Sequence, residues 1–229
     1  MGRFLARRDT AAAELMDDPA CDLQQLRNTY AQFKVVNAVV SGWHGVYQRE
    51  IRPYLHPDSP RTLLDVGCGG GDVPRALASW ARRDGLALDV LAIDADDRAI
   101  AFNHEQPEHL GVRFRQALSS DLVHEGQRFD FVTSNHLLHH LTPDELAALL
   151  RDSERLCTVR ALHSDLERHP WAYHLFSVAA RPFPQSFIRE DGLTSIRRSY
   201  TWAELQGSAP PGWQVHPLVP FRLLLTYAP

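Results

Sequence analysis

The sequence predicts an α/β fold: a seven-stranded, mainly parallel sheet with helices wound on both faces. Three observations predict it. From residue 61 onward, short apolar runs alternate with amphipathic ones. A glycine-rich loop joins the first run to the first helix. The second run closes on an acidic residue, Asp94. Strands spaced by helical segments need right-handed crossovers, and these build a parallel sheet.

Residues 61–67, 89–94, 112–117, 129–134 and 158–164 read as the first five strands. Residues 72–83, 96–104 and 143–156 read as helices between them. Thr142-Pro143-Asp144-Glu145 is a capping box with proline at the first helical position, and Thr201-Trp202-Ala203-Glu204 repeats the cap near the C-terminus. Asp72-Val73-Pro74 places a polar cap after the glycines. Residues 1–60 read as a helical cap, because Leu23, Leu26, Tyr30 and Phe33 keep a helical period until Ser41-Gly42 breaks it. Residues 61–164 form the core. Residues 165–229 read as an insertion, with a helix over 171–180 and a break at Pro182-Phe183-Pro184, followed by a hairpin of strands at 213–216 and 221–227. The whole, 1–229, reads as one domain.

Composition narrows the function. A formal charge of −4 opposes nucleic acid and anionic membranes, which want a basic face. No apolar run approaches a membrane span. The start, MGRFLARRDTAAAELMDD, lacks the apolar core of a secretion signal. Cys21, Cys68 and Cys157 lie far apart and make neither a disulfide framework nor a Cys-x-x-Cys site, so a reducing cytoplasm is expected.

The strongest motif is Asp65-Val66-Gly67-Cys68-Gly69-Gly70-Gly71-Asp72. Glycines let the backbone turn sharply and let a ligand approach, and the following helix start offers free N–H groups. A dinucleotide fingerprint needs glycine or alanine where Asp72 stands. Two acids around the loop instead suit a ligand that carries a cation. Asp94, closing the second strand, can accept both hydroxyl protons of a ribose.

With Ser134-Asn135-His136-Leu137-Leu138-His139-His140-Leu141 after the fourth strand, this pattern resembles the class I S-adenosylmethionine-dependent methyltransferases, small-molecule branch. Within that branch it is similar to ubiquinone and menaquinone methyltransferases. Residues 191–200 and Phe221-Arg222 resemble bacterial aromatic natural-product members. The resemblance implies a Rossmann-like sheet and S-adenosylmethionine as cofactor, with S-adenosylhomocysteine as product. It implies that Asp65, Gly67, Gly69 and Gly71 surround the methionine part and that Asp94 holds the ribose. Ala95 and Leu118 would flank the adenine, and Asn135 would begin the segment under the methionine part. Many relatives carry an aspartate after strand three. Here Gln116-Ala117-Leu118 stands there, with Ser119, Ser120 or Asp121 as substitutes.

Ionising a phenol at pH 7 costs about 4 kcal/mol, which a near-neutral histidine can offset. The histidines that follow strands four and five are therefore the candidate bases: His140 facing the pocket, His139 behind it, and His163 with Asp165 beyond. Arg197, Arg198 and His169 are candidates for binding the acceptor. No metal is expected, because His139, His140 and His163 lack a ligand spacing. The expected partner is a small-molecule acceptor, most naturally a phenolic oxygen. Carbon or nitrogen methylation and a non-catalytic cofactor-binding subunit are the alternatives. A nucleic-acid methyltransferase is disfavoured by the charge and by Ser134-Asn135-His136-Leu137, where an Asn/Asp-Pro-Pro-Tyr-like segment would stand.

Overall fold

The computed structural model describes residues 5–229, leaving aside the side chains of residues 38 and 39. Its strands are β1 (Arg61–Val66), β2 (Leu88–Asp94), β3 (Val112–Gln116), β4 (Phe129–Asn135), β5 (Cys157–Leu166), β6 (Gln214–Leu218) and β7 (Arg222–Tyr227). They form one sheet in the order β3-β2-β1-β4-β5-β7-β6. β1 to β5 run parallel, and β7 lies antiparallel between β5 and β6. The strand order reverses between β1 and β4, and such a switch point opens a crevice at the carboxyl ends of the strands.

Alternation along β1 explains why both faces are covered. Leu63 and Leu64 are both fully buried but on opposite sides. Leu64 packs with Val132 and with Leu146 and Leu150 of α6 (Pro143–Leu156). Leu63 packs with Phe131, Trp43 and Leu77, the last on α3 (Asp72–Arg83). Both expected capping boxes are formed, by Thr142 and Glu145 at α6 and by Thr201 and Glu204 at α9 (Trp202–Ser208).

The N-terminal cap is only partly helical. α1 (Leu23–Val40) is capped by Asp22 and ends at Ser41, and Gly42 at φ 69° turns the chain into α2 (Trp43–Val46). Residues 6–22 hold one short 3-10 turn (Leu15–Asp17) and otherwise run as an irregular strap. Their alanine-rich sequence offers no apolar stripe, so tertiary hydrogen bonds fix them instead. The Asp191 carboxylate accepts from the backbone N–H of Leu15 at 2.7 Å and of Met16 at 3.0 Å. Residues 1–4 of the expected cap lie outside the described residues.

One other local expectation differs, and two helices stand where the sequence assigned no element. α3 is capped by Gly71, left-handed at φ 72°, and Asp72 is its first residue, its carboxylate accepting from Asn37 at 2.9 Å. α4 (Asp97–Glu105) is followed after β3 by an unexpected short helix, α5 (Ser119–His124), whose Asp121 accepts from the Leu118 N–H. After α7 (Pro170–Ala179), the stretch carrying Arg197 and Arg198 is a helix, α8 (Ile188–Arg198). Among the described residues no helix is long and apolar enough to cross a membrane.

Candidate functional site

A cavity of about 560 Å³ opens at the carboxyl ends of β1, β2 and β4. Its floor is the glycine loop between β1 and α3. The N–H groups of Gly67 and Cys68 both donate to the Ile93 carbonyl, at 2.9 and 3.0 Å, which ties the loop to the end of β2. The Gly69 N–H donates to Asp94 Oδ2 at 2.8 Å, and the Asp96 N–H donates to Asp94 Oδ1 at 3.0 Å. Asp94 is thus fixed in place, while each oxygen keeps acceptor capacity toward the cavity.

Steric demand explains two of the glycines. A Cβ on Gly70 would stand 2.9 Å from the Tyr30 carbonyl oxygen of α1. A Cβ on Gly71 would stand 2.3 Å from Asn103 Oδ1 and would also suffer from the positive φ.

Three acids surround the loop. Asp65 is buried and accepts from the Thr133 hydroxyl at 2.7 Å. Burial, with the nearby Asp72 and Asp94 charges, pushes its pKa up to about 7. Burial likewise raises the pKa of Asp72 and Asp94. A cationic ligand at this end would relieve the repulsion.

The opposite wall is a cluster of imidazoles and carboxylates. His139 and His140 sit on a 3-10 turn after β4 (Leu138–His140), their ring centroids 4.3 Å apart. His139 Nδ1 donates to Asp165 Oδ1 at 2.7 Å, and the His139 backbone N–H donates to Asp165 Oδ2 at 2.7 Å. Its Nε2 lies 3.2 Å from Glu14 Oε1 on the N-terminal strap. Burial disfavours charge on His139, but Asp165 and Glu14 outweigh it and push its pKa up to about 9. Asp165 is held well below the usual carboxylate range by that imidazole, against its burial. Burial also opposes ionisation of Glu14, but His139, His140 and the Ser195 hydroxyl at 2.8 Å hold its pKa below normal. His140 is more open, with Nδ1 3.2 Å from Asp17 Oδ2 and Nε2 3.7 Å from Glu14.

Asp65, Gly67, Gly69, Asp94, Asn135, His139 and His140 all line this one cavity. Gly71 caps α3 behind the loop, and Asp165 stands behind His139. Ala95 and Leu118 are exposed at the end of β2 and the start of α5, outside the cavity lining. Of the suggested adenine substitutes, Ser119 donates to Asp152 and Asp121 caps α5. His163 lies elsewhere: its ring nitrogens bond the Ser134 and Ser153 hydroxyls, and it stacks on Trp213. Burial pushes its pKa down to about 3.

His169 caps α7 and stacks on Phe221. Arg197 bonds Thr194, and Arg198 donates to the carbonyls of Ala12, His139 and His140. None of these three lines the cavity. Arg198 instead clamps the turn that carries the histidines.

Sequence reasoning missed Glu14 and Asp17, which carry no periodicity and belong to no motif. It also gave no role to Arg222. That fully buried guanidinium donates to His136 Nε2 at 2.7 Å and Asn135 Oδ1 at 2.6 Å. It thereby locks the segment after β4, and burial pushes its own pKa down to about 10.

Residues 63–160 match the family model described as a methyltransferase domain. A ubiquinone biosynthesis O-methyltransferase of Cereibacter sphaeroides is 33% identical over 121 residues, covering 52% of this chain and 46% of that protein. One of Coxiella burnetii is 29% identical over 158 residues, covering 63% and 62%. The chain spans about half the length of the curated relatives it matches. Among solved structures, the plantazolicin methyltransferase BpumL, in complex with a desmethylPZN analog and SAH, superposes with a TM-score of 0.63. It is 14% identical and covers 93% of this chain and 92% of that one. Human N-acetylserotonin methyltransferase, in complex with SAM, gives a TM-score of 0.62 at 12% identity, covering 90% and 56%. At these identities the superpositions show a shared fold. The sheet, the glycine loop and the family match agree, and residues 63–160 belong to the class I S-adenosylmethionine-dependent methyltransferase family.

Proposed function

We propose that this chain transfers a methyl group from S-adenosylmethionine to a small molecule, at a phenolic oxygen of an aromatic natural product. One observation carries the reading. Asp94, pinned by the Gly69 N–H, and the His139–His140 pair face a single cavity from opposite walls. The cavity volume suits a cofactor with a modest acceptor.

The residues present fit the cofactor. Asp94 has spare acceptor capacity for two ribose hydroxyls. Asp65 and Asp72 favour the cationic methionine part, and a ligand can approach the loop closely because Gly69 carries no Cβ. Asn135, its side-chain Oδ1 held by Arg222, borders the same part. Ala95 and Leu118, exposed outside the cavity lining, would meet only the outer edge of the adenine. When bound, S-adenosylmethionine supplies a methyl group already activated by its sulfonium sulfur.

The chain's own contribution is alignment, exclusion of water and help with the phenolic proton. Alignment of this kind contributes up to roughly 7–11 kcal/mol. Tyr30 and Phe33 of α1 and Phe176 of α7 wall the cavity with aromatic surface. The histidine assistance comes from His140, the more open ring, whose Nδ1 faces Asp17 and whose Nε2 stands 3.7 Å from Glu14; His139, cationic between Asp165 and Glu14, favours the phenolate charge. The O-methyltransferases among the relatives support oxygen as the target.

The test is turnover of S-adenosylmethionine with a panel of phenols, with product fragmentation by mass spectrometry. A methyl group lost with the phenolic oxygen is expected. A methyl group retained on ring carbon or nitrogen overturns the oxygen assignment. Tight cofactor binding without turnover of any acceptor would make the chain a binding subunit.

A further inference from the structure

We propose that Glu14, His139 and His140 bind one divalent transition-metal ion at the acceptor end of the cavity. Its use in methyl transfer rests on the reading above; its existence does not. One ligand atom from each residue lies within 4.8 Å of the others. Glu14 Oε1 is 3.2 Å from His139 Nε2 and 3.7 Å from His140 Nε2. Ligands held at roughly 2.1 Å around a tetrahedral ion stand about 3.4 Å apart, so these two edges already have the right length.

The surroundings are those of a metal centre. His139 Nδ1 is bonded to Asp165 and His140 Nδ1 to Asp17. A carboxylate behind each imidazole fixes the tautomer and turns the Nε2 lone pair toward the ion. Here two such pairs converge on one further carboxylate. His139 Nε2 is buried, and its 3.2 Å contact with Glu14 Oε1 lacks hydrogen-bond alignment. Three carboxylates, Glu14, Asp17 and Asp165, meet the two imidazoles, while the guanidinium groups of Arg8 and Arg198 are turned to the backbone carbonyls of His139 and His140.

Two imidazoles and one carboxylate suit zinc or a neighbouring transition ion; magnesium prefers oxygen ligands throughout. All three residues line the cavity, so the remaining coordination position faces the acceptor. An acceptor hydroxyl there would release its proton to water, and the electron pair of the broken O–H bond would stay on oxygen, beside the ion. The third ligand thus comes from the N-terminal strap, a source that the spacing of His139, His140 and His163 could not reveal.

The test uses the full chain, stripped with a chelator and desalted. Zinc chloride is titrated in the presence of a competing chelator, and bound metal is counted by elemental analysis. One equivalent is expected for the wild type. Glu14→Gln and His140→Ala should each weaken it at least tenfold, and Asp17→Asn by about tenfold as a positioning residue. Circular dichroism checks that each variant is folded. Absence of a one-equivalent site in the wild type, or unchanged affinity in both folded ligand variants, overturns the proposal. S-adenosylhomocysteine binding is measured on the same samples. Its loss in the wild type would strike the methyl-transfer reading alone, and its retention without zinc binding would strike the metal alone.

Discussion

The two ends of the cavity are built in opposite ways. The cofactor end comes from one strand, one loop and one helix start, with Asp94 added from the neighbouring strand. Its geometry is set by backbone hydrogen bonds and by glycines that tolerate no Cβ. The acceptor end is assembled from four distant places: the strap with Glu14 and Asp17, the turn with His139 and His140, Asp165 at the end of β5, and Ser195 on α8. Ser195 and Glu14 touch although they lie 181 positions apart. A binding loop written in contiguous residues keeps its meaning in any relative. A pocket assembled from remote side chains can be rebuilt for a new acceptor without disturbing that loop.

Four perturbations sharpen the contrast. The largest effect belongs to the acceptor end. His139→Ala leaves Asp165 and Glu14 buried without their cation and should lower stability by about 3 kcal/mol in chemical denaturation. A loss below about 1 kcal/mol would mean that the cluster is not a buried charged unit. At the cofactor end, Gly71→Ala should cost about 2 kcal/mol and weaken S-adenosylhomocysteine at least tenfold, because the new Cβ meets Asn103 at a positive φ. Unchanged affinity would show that the loop is looser than its contacts imply.

Asp65 gives a pH test with a definite sign. Its pKa is raised to about 7 in the folded chain, so its contribution to stability is full below the unfolded value near 3.8 and is lost as pH rises through 7. A cationic ligand prefers the ionised form. Affinity for S-adenosylmethionine should therefore rise about tenfold from pH 6 to pH 8 and become flat in Asp65→Asn. A profile that keeps its slope in the variant would assign the titration to another group.

Arg198→Ala should have the smallest effect. It removes hydrogen bonds to the carbonyls of Ala12, His139 and His140, each worth about 0.5 kcal/mol at the low end, or about 1.5 kcal/mol in all. It should slow turnover while leaving cofactor affinity untouched. A loss of cofactor affinity would mean that the two ends are coupled.

How much of this was legible follows the same division. β1, α3, β2 and β4 were readable because each hydrophobic run is short and each junction carries a glycine, an acid or a cap. The terminal hairpin was readable for the same reason. α5 escaped because six residues hold too few apolar positions to set a period. α8 escaped because it follows a proline break and spends polar residues inward: Asp191 on the strap and Ser195 on Glu14. His163 looked like an active-site base because it ends a strand, yet alternation along β5 turns it under α6 onto Ser153. Glu14 could not be found at all, since nothing near it in sequence distinguishes it from a solvated acid.

Calorimetric titration of S-adenosylhomocysteine into the wild type and into Asp94→Ala tests the central claim most directly. One site should appear in the wild type and no measurable heat of binding in the variant, provided that the variant remains folded. Equal affinity in the two proteins would contradict the account, because the carboxylate pinned by Gly69 would then have no part in holding the nucleoside.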